Sequence, residues 1–248
     1  MFWFLVCEAA LAKDITTLIS SRLSADGKKL DLSGARIGPK GVQALADDQR
    51  LANVTTLLLQ GNQIQYKGMK ILAKSPHVAN LEHLDLFGNF LGDRGIQALT
   101  QSSYLKNLVT LKLWKNEVGE AGVRLLAESP NFSNLKTLLL SDNLITPEAL
   151  QHLAQTKGFQ KLEILSLFRN EIGDEGAMIL ADAQHLKNIN KLFIGQNNIG
   201  DKGAIALIKS DRFPNLQVLD LSQNSLGDET LRAVFKYNPD GKRKIVTR

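Results

Sequence analysis

Cysteine is almost missing from this chain: Cys7 is the only one in 248 residues, so no disulfide can close within it. That excludes the disulfide-scaffold class and points to a reducing working environment such as a cytosol. Histidine is nearly as scarce. His77, His83, His152 and His185 are its four, and none has a second histidine or a cysteine at metal-ligand spacing. No metal or other cofactor is expected. No apolar stretch is long enough to cross a membrane. Aromatic residues make up only 6% of the chain, so where they fall carries information. Positive charge looks more generous, at a formal +5, but Lys236, Lys242, Arg243, Lys244 and Arg248, less Asp240, supply +4 of it in the last thirteen residues. The remainder is close to neutral, which argues against a nucleic-acid binder, and residues 240–248 read as a solvated basic tail.

What the chain does have is a period. Asn62, Asn89, Asn116, Asn143, Asn170, Asn197 and Asn224 follow one another at intervals of 27 residues. Five before each stand Leu57, Leu84, Leu111, Leu138, Leu165, Leu192 and Leu219, and three before stand Leu59, Leu86, Leu113, Leu140, Leu167, Ile194 and Leu221. Apolar residues two apart turn one face of a short strand inward. Seven, ten and eleven past the asparagine the residues read Ile96, Leu99, Thr100 in one unit and Val123, Leu126, Ala127 in the next. Those spacings describe the buried stripe of a helix. Glycines such as Gly92 and Gly95, or Gly173 and Gly176, precede it, where the chain must turn out of the strand. Each unit is therefore strand, turn, helix and return.

A polar amide between apolar columns is costly unless its hydrogen bonds are made. In a stack of such units the asparagine amide can satisfy backbone groups of its own and adjacent turns, as a ladder. The pattern L-x-x-L-x-L-x-x-N-x-L, plain in Leu81 to Leu91, resembles the leucine-rich-repeat family. Segments such as Asn170 to Ala177 place it nearest the ribonuclease-inhibitor-like class, with a helix in every repeat. The resemblance spans about residues 30–235. It implies an α/β solenoid, a curved horseshoe with a parallel sheet on its concave face and helices on its convex face.

The expected organisation is an N-terminal cap over residues 1–29, eight repeats over 30–239, and the basic tail. Residues 30–56 make a first repeat with Ala35 in the asparagine column. Upstream, Trp3, Leu5, Ile15, Leu18 and Ile19 fall into the columns of a weaker unit centred on Glu8. The rival reading of the start is a signal peptide, since Phe2 to Val6 is apolar and Ala10-Leu11-Ala12 resembles a cleavage site. No Lys or Arg precedes that short stretch and Glu8 interrupts it, which favours the cap.

The outward positions of the sheet lie four and two residues before each asparagine, extended by those six before, one before and one after. They hold Phe87, Trp114, Phe168 and Phe193, with Phe90 beside them. Five aromatic residues thus occupy positions that the solenoid does not need for packing. Clustered exposed apolar groups rimmed by charge mark an interaction surface. The charged and polar surround is His83, Asp85, Lys112, Lys115, Glu117, Arg169 and Glu171. These residues are the candidate partner-binding set. Mutual covering of the aromatics on the sheet is the plainer alternative. Nucleic-acid stacking beside Lys112, Lys115 and Arg169 is disfavoured by Asp85, Asp142, Glu117 and Glu171.

No catalytic residue is expected. His83 and Asp85 share a strand face without a nucleophile, Cys7 lies far from any histidine column, and the glycines recur for turn geometry rather than to cradle phosphate. The expected function is non-enzymatic binding of a protein partner on the concave sheet by a monomeric chain. The resemblance adds two implications: members of this class can inhibit an enzyme by covering its active site, and cysteine-poor versions occur among effectors of intracellular bacterial pathogens, which act in a host cytosol. A scaffold that tethers two proteins is the alternative.

Overall fold

A computed structural model describes residues 14–248. Trp3, Leu5, Cys7 and Glu8, and with them the choice between cap and signal peptide, lie outside the described residues. Within them, nine strands alternate with nine helices. The strands are β1 (Lys29–Asp31), β2 (Thr56–Leu58), β3 (His83–Asp85), β4 (Thr110–Lys112) and β5 (Thr137–Leu139). They continue as β6 (Ile164–Ser166), β7 (Lys191–Phe193), β8 (Val218–Asp220) and β9 (Lys244–Val246). The helices are α1 (14–22), α2 (Gly38–Asp47), α3 (Gln65–Leu72), α4 (Gly92–Thr100) and α5 (Glu120–Glu128). After them come α6 (Pro147–Gln155), α7 (Gly173–Ala181), α8 (Asp201–Lys209) and α9 (Asp228–Tyr237).

All nine strands pair in parallel in chain order, β1 to β9. The register steps by one repeat each time, with Leu57 opposite Leu84 and Leu84 opposite Leu111. Consecutive parallel strands need a crossover, and one helix supplies it in every repeat. The leucines five and three before each asparagine are buried beneath the sheet, packed on the apolar stripes of the helices. Regular strand geometry covers only three residues, yet the ladder runs on: the Leu59 N–H donates to the Asp85 carbonyl and the Gly61 N–H to the Phe87 carbonyl, both at 2.8 Å.

The asparagine ladder forms as the chemistry requires. The Asn116 Oδ1 accepts from the Asn89 N–H at 3.1 Å and the Leu91 N–H at 3.4 Å, while its Nδ2 donates to the Leu86 carbonyl at 2.8 Å and the Trp114 carbonyl at 2.9 Å. Each amide thus stitches its own repeat to the preceding one. Two further ladders share the 27-residue period. Ser75, Ser102, Thr156 and Ser210 hydroxyls donate to the carbonyls of Ala46, Ala73, Ala127 and Ala181. Asn80, Asn107, Asn188 and Asn215 side chains donate to the carbonyls of Ala52, Ala79, Gln160 and Lys187.

Two details differ from the sequence reading. Gly92 and Gly173 have φ of +55° and +59° and do make the turn, but Gly95 and Gly176 lie inside α4 and α7. At Gly176 a Cβ would sit 2.7 Å from Ile172 and 3.1 Å from Leu150, so this glycine is there for close helix packing. The expected tail is not wholly solvated: residues 244–246 form β9, with Ile245 opposite Leu219. At the other end Ile15 and Ile19 on α1 are buried against the first repeats, and Leu23 bridges antiparallel to Leu30.

Candidate functional site

The strand alternation that buries the leucine columns turns the intervening residues outward onto the concave sheet. Phe87 and Trp114, one repeat apart, meet edge to face with ring centroids 6.4 Å apart. They remain 39% and 40% exposed, so the contact between them does not cover either ring. Phe90 is 50% exposed and sits at φ +55°, a left-handed conformation that a bulky side chain adopts at a cost.

Beyond Trp114 the face becomes a concavity of about 630 Å³. Trp114, Leu139, Ile164, Phe168 and Phe193 give it an apolar lining, and Thr137, Ser141, Asp142, Ser166 and Arg169 complete it. Phe168 and Phe193 are half-buried, because they form its walls. Phe168 is held by what lies beneath it. A Cβ on Gly195 would come 2.8 Å from the Phe168 ring, so the absence of a side chain at 195 lets that ring lie across the next repeat. On the floor the Ser141 and Ser166 hydroxyls bond each other at 2.8 Å and so present little unmet polarity.

Leu139 and Ile164 were missed as candidates from sequence. The signal was present, since both occupy outward columns that hold Asp85 or Thr110 in other repeats. Aromatic residues alone marked the ends of the patch, and the aliphatic ones fill its middle.

The charged candidates divide into two groups. Asp85 is corrected: expected on the exposed face, it is 3% exposed. Its Oδ2 accepts from Gln60 Nε2 at 2.6 Å and lies 3.3 Å from Lys112 Nζ, and its Oδ1 accepts from the Phe87 N–H at 3.1 Å. Its charge is spent inside the protein, where it fixes the strand end that carries Phe87. Lys112 is half-exposed and tied to Asp85, and His83 is half-buried on β3 between Thr56 and Thr110. Lys115, Glu117, Arg169 and Glu171 are exposed along the edge. Arg169 lies 3.8 Å from Asp142 and donates through Nε to Gln196 Oε1 at 3.1 Å. Residues one before the asparagine column, which holds Ala35 in the first repeat, all have φ between +53° and +67°: glycine in the first repeats (Gly34, Gly61, Gly88), then Lys115, Asp142, Arg169, Gln196 and Gln223. Where the concavity lies, side chains are thus carried at a backbone position that favours glycine.

Among the described residues, no group of three or more His, Cys, Asp or Glu side chains is placed to hold a metal ion. His152 has Glu120 3.7 Å away on the helical side, remote from the concave face. No helix among the described residues is long and apolar enough to cross a membrane.

Comparison with known proteins agrees with this architecture. A family model described as leucine-rich repeat matches residues 28–46, 50–73, 79–99, 160–181, 185–207 and 214–235, together more than half of the chain. The chain belongs to the leucine-rich-repeat family. The longest unmatched stretch, between 99 and 160, has the same strand and helix units and carries Trp114 and Leu139. No curated protein matches in sequence. Among solved structures, an internalin C2 from Listeria monocytogenes superposes with a TM-score of 0.57 over 91% of this chain and 87% of that one, at 24% identity. That likeness shows the shared solenoid fold. Proteins built this way generally serve as protein-interaction modules and are typically non-enzymatic, their extended concave surface doing the binding.

Proposed function

We propose that this chain is a non-enzymatic module that binds a protein partner on its concave sheet. The observation that carries this reading is the apolar concavity bounded by Trp114, Phe168 and Phe193. It suits a partner that inserts a bulky apolar side chain against Leu139 and Ile164, with Phe87, Phe90 and the charged edge of Lys115, Glu117, Arg169 and Glu171 forming the surround. Aromatic anchors within a charged rim are where binding energy concentrates. Binding itself is then the activity. Coverage of a partner enzyme's working surface, as the ribonuclease-inhibitor-like resemblance implies, is the most concrete form, and tethering of two proteins is the alternative. Nucleic acid is a poor fit, since Asp142, Glu117 and Glu171 stand among the cations. A monomer acting in a reducing compartment, bacterial or host cytosol, is consistent with the single cysteine.

The test pairs the wild type with Trp114→Ala in an affinity purification, then titrates each purified candidate against both. A true partner is retained by the wild type and binds the variant at least about 2 kcal/mol more weakly, roughly thirtyfold. Equal affinity for both, or a variant that unfolds, supports instead the view that the aromatics merely cover the sheet.

A further inference from the structure

A solenoid carries its own controls, because each helix can be compared with its equivalents in the other repeats. Four residues past the asparagine column, in the first helical turn, five of the repeats place an acid: Asp93, Glu120, Asp174, Asp201 and Asp228. An acid there suits the positive end of the helix. In the repeat of Asn62 that position is Tyr66, and α3 has no acid in its first turn. The charges on and just after α3 are Lys67, Lys70 and Lys74, all exposed. Lys70, in the last turn of α3, and Lys74, just past its end, border the same groove.

The next helix turns a third cation toward them. Arg94 on α4 stacks over the Tyr66 ring, 4.1 Å from its centroid, so the residue that replaces the usual acid also positions a guanidinium. Lys70, Lys74 and Arg94 line one groove between α3 and α4, together with Tyr66, Gln97 and Gln101, and no carboxylate lines it. Some surface cations elsewhere are paired, as Arg124 is with Glu128, Lys136 with Glu163, and Arg212 with Asp182, and others stand singly. Among the described residues these three have no ion-pair partner. Asp47 borders the lysines on the α2 side, but it accepts from Gln43 at 2.9 Å and pairs with neither.

We propose that this convex groove is a binding site for a phosphate-class anion carrying two or more negative charges. Three cations, two carboxamides and a phenol supply convergent donors, and the planar arginine fork suits the oxygens of a tetrahedral phosphate. The groove holds about 260 Å³, less than the 300–1,000 Å³ usual for drug-sized ligands, so it takes an anionic group rather than a whole cofactor. It lies on the helical side, opposite the concave surface, and does not depend on what binds there.

The experiment titrates sodium tripolyphosphate into the full chain by calorimetry at low and at physiological salt. Binding by the wild type is expected to weaken with salt, and to weaken at least about tenfold in Lys70→Gln/Lys74→Gln/Arg94→Gln. A charge-matched control, Lys157→Gln/Lys187→Gln/Lys202→Gln, is expected to bind as the wild type does. Should the first variant lose its thermal transition, the surface double variant Lys70→Gln/Lys74→Gln takes its place. No heat from the wild type, or an equal loss in the control, overturns the proposal. Cosedimentation with phosphatidylcholine vesicles, with and without a phosphoinositide, identifies the source. Recruitment only with the phosphoinositide indicates a lipid headgroup, and tripolyphosphate binding without recruitment indicates a free anion.

Discussion

Replacing Asn116 by alanine tests the ladder atom by atom. The side chain is fully buried and takes part in four hydrogen bonds. Their loss is unequal. The Leu86 carbonyl keeps the Asn89 amide as a donor at 2.9 Å, and the Trp114 carbonyl keeps the Gly88 N–H at 2.9 Å. The N–H groups of Asn89 and Leu91 have only Asn116 Oδ1, so both become buried donors without an acceptor. Each orphaned donor costs about 1–3 kcal/mol. Asn116→Ala is therefore expected to destabilise the fold by about 2–6 kcal/mol. Urea unfolding followed by circular dichroism and tryptophan fluorescence measures it, provided the two transitions coincide, as two-state treatment requires. Hydrogen exchange adds a local check, since the amides of Asn89 and Leu91 should lose protection beyond the global change. Asn224 makes comparable bonds but is only half-buried, so water can replace its oxygen. Asn224→Ala should cost less. A loss under about 1 kcal/mol at Asn116, with both amides still protected, refutes the assignment of the ladder as a structural requirement.

Leu113→Ala removes a fully buried side chain between sheet and helices and should cost about 2–5 kcal/mol in the same assay; unchanged stability breaks the register. Gly195→Ala places a methyl group 2.7 Å from the Ser222 carbonyl and 2.8 Å from the Phe168 ring, so a loss of about 1–3 kcal/mol should accompany a displaced Phe168 in a crystal structure of the variant. The Asp201 carboxyl accepts from the Thr230 hydroxyl and from the N–H groups of Thr230 and Gly227, which hold its pKa below the usual carboxylate range, the hydroxyl first. A lowered pKa in the folded state stabilises above the unfolded value and is lost as pH falls through the folded one. Stability should decline on acidification below about pH 4, and Asp201→Asn should flatten that part of the profile measured by thermal unfolding.

The solenoid was legible because its inward residues answer to one constraint repeated many times. Leu57, Leu84 and Leu111 meet the same environment in successive repeats, so the column is visible without any structure. The serine and second asparagine ladders recur at the same interval, so Asn80 and Asn107 carry the same periodic signal. Limits appeared where a residue acts through a particular neighbour. Asp85 falls in an outward column, but burial by Gln60 and Lys112 removes it from the exposed set, and no period encodes that. Gly195 stands in the same outward column as Phe87 and Trp114, and the column does not reveal that the space it leaves is filled by Phe168.

The same division says what this architecture permits. Inward columns are fixed by packing and by the amide ladders, so change there is limited by stability. Outward columns bear less of that load, and Leu58, Asp85, Lys112, Leu139, Ser166, Phe193 and Asp220 succeed one another in equivalent positions of a single sheet. The exception is the left-handed position before each asparagine, where a side chain carries a backbone cost that glycine avoids. Glycine holds it at Gly34, Gly61 and Gly88, and gives way to Lys115, Asp142 and Arg169 alongside the apolar concavity. The solenoid does not require those side chains, since its first repeats form without them. Gln196 and Gln223 hold the same position in the last repeats, so the left-handed conformation belongs to the repeat itself and a side chain there does not by itself mark a site.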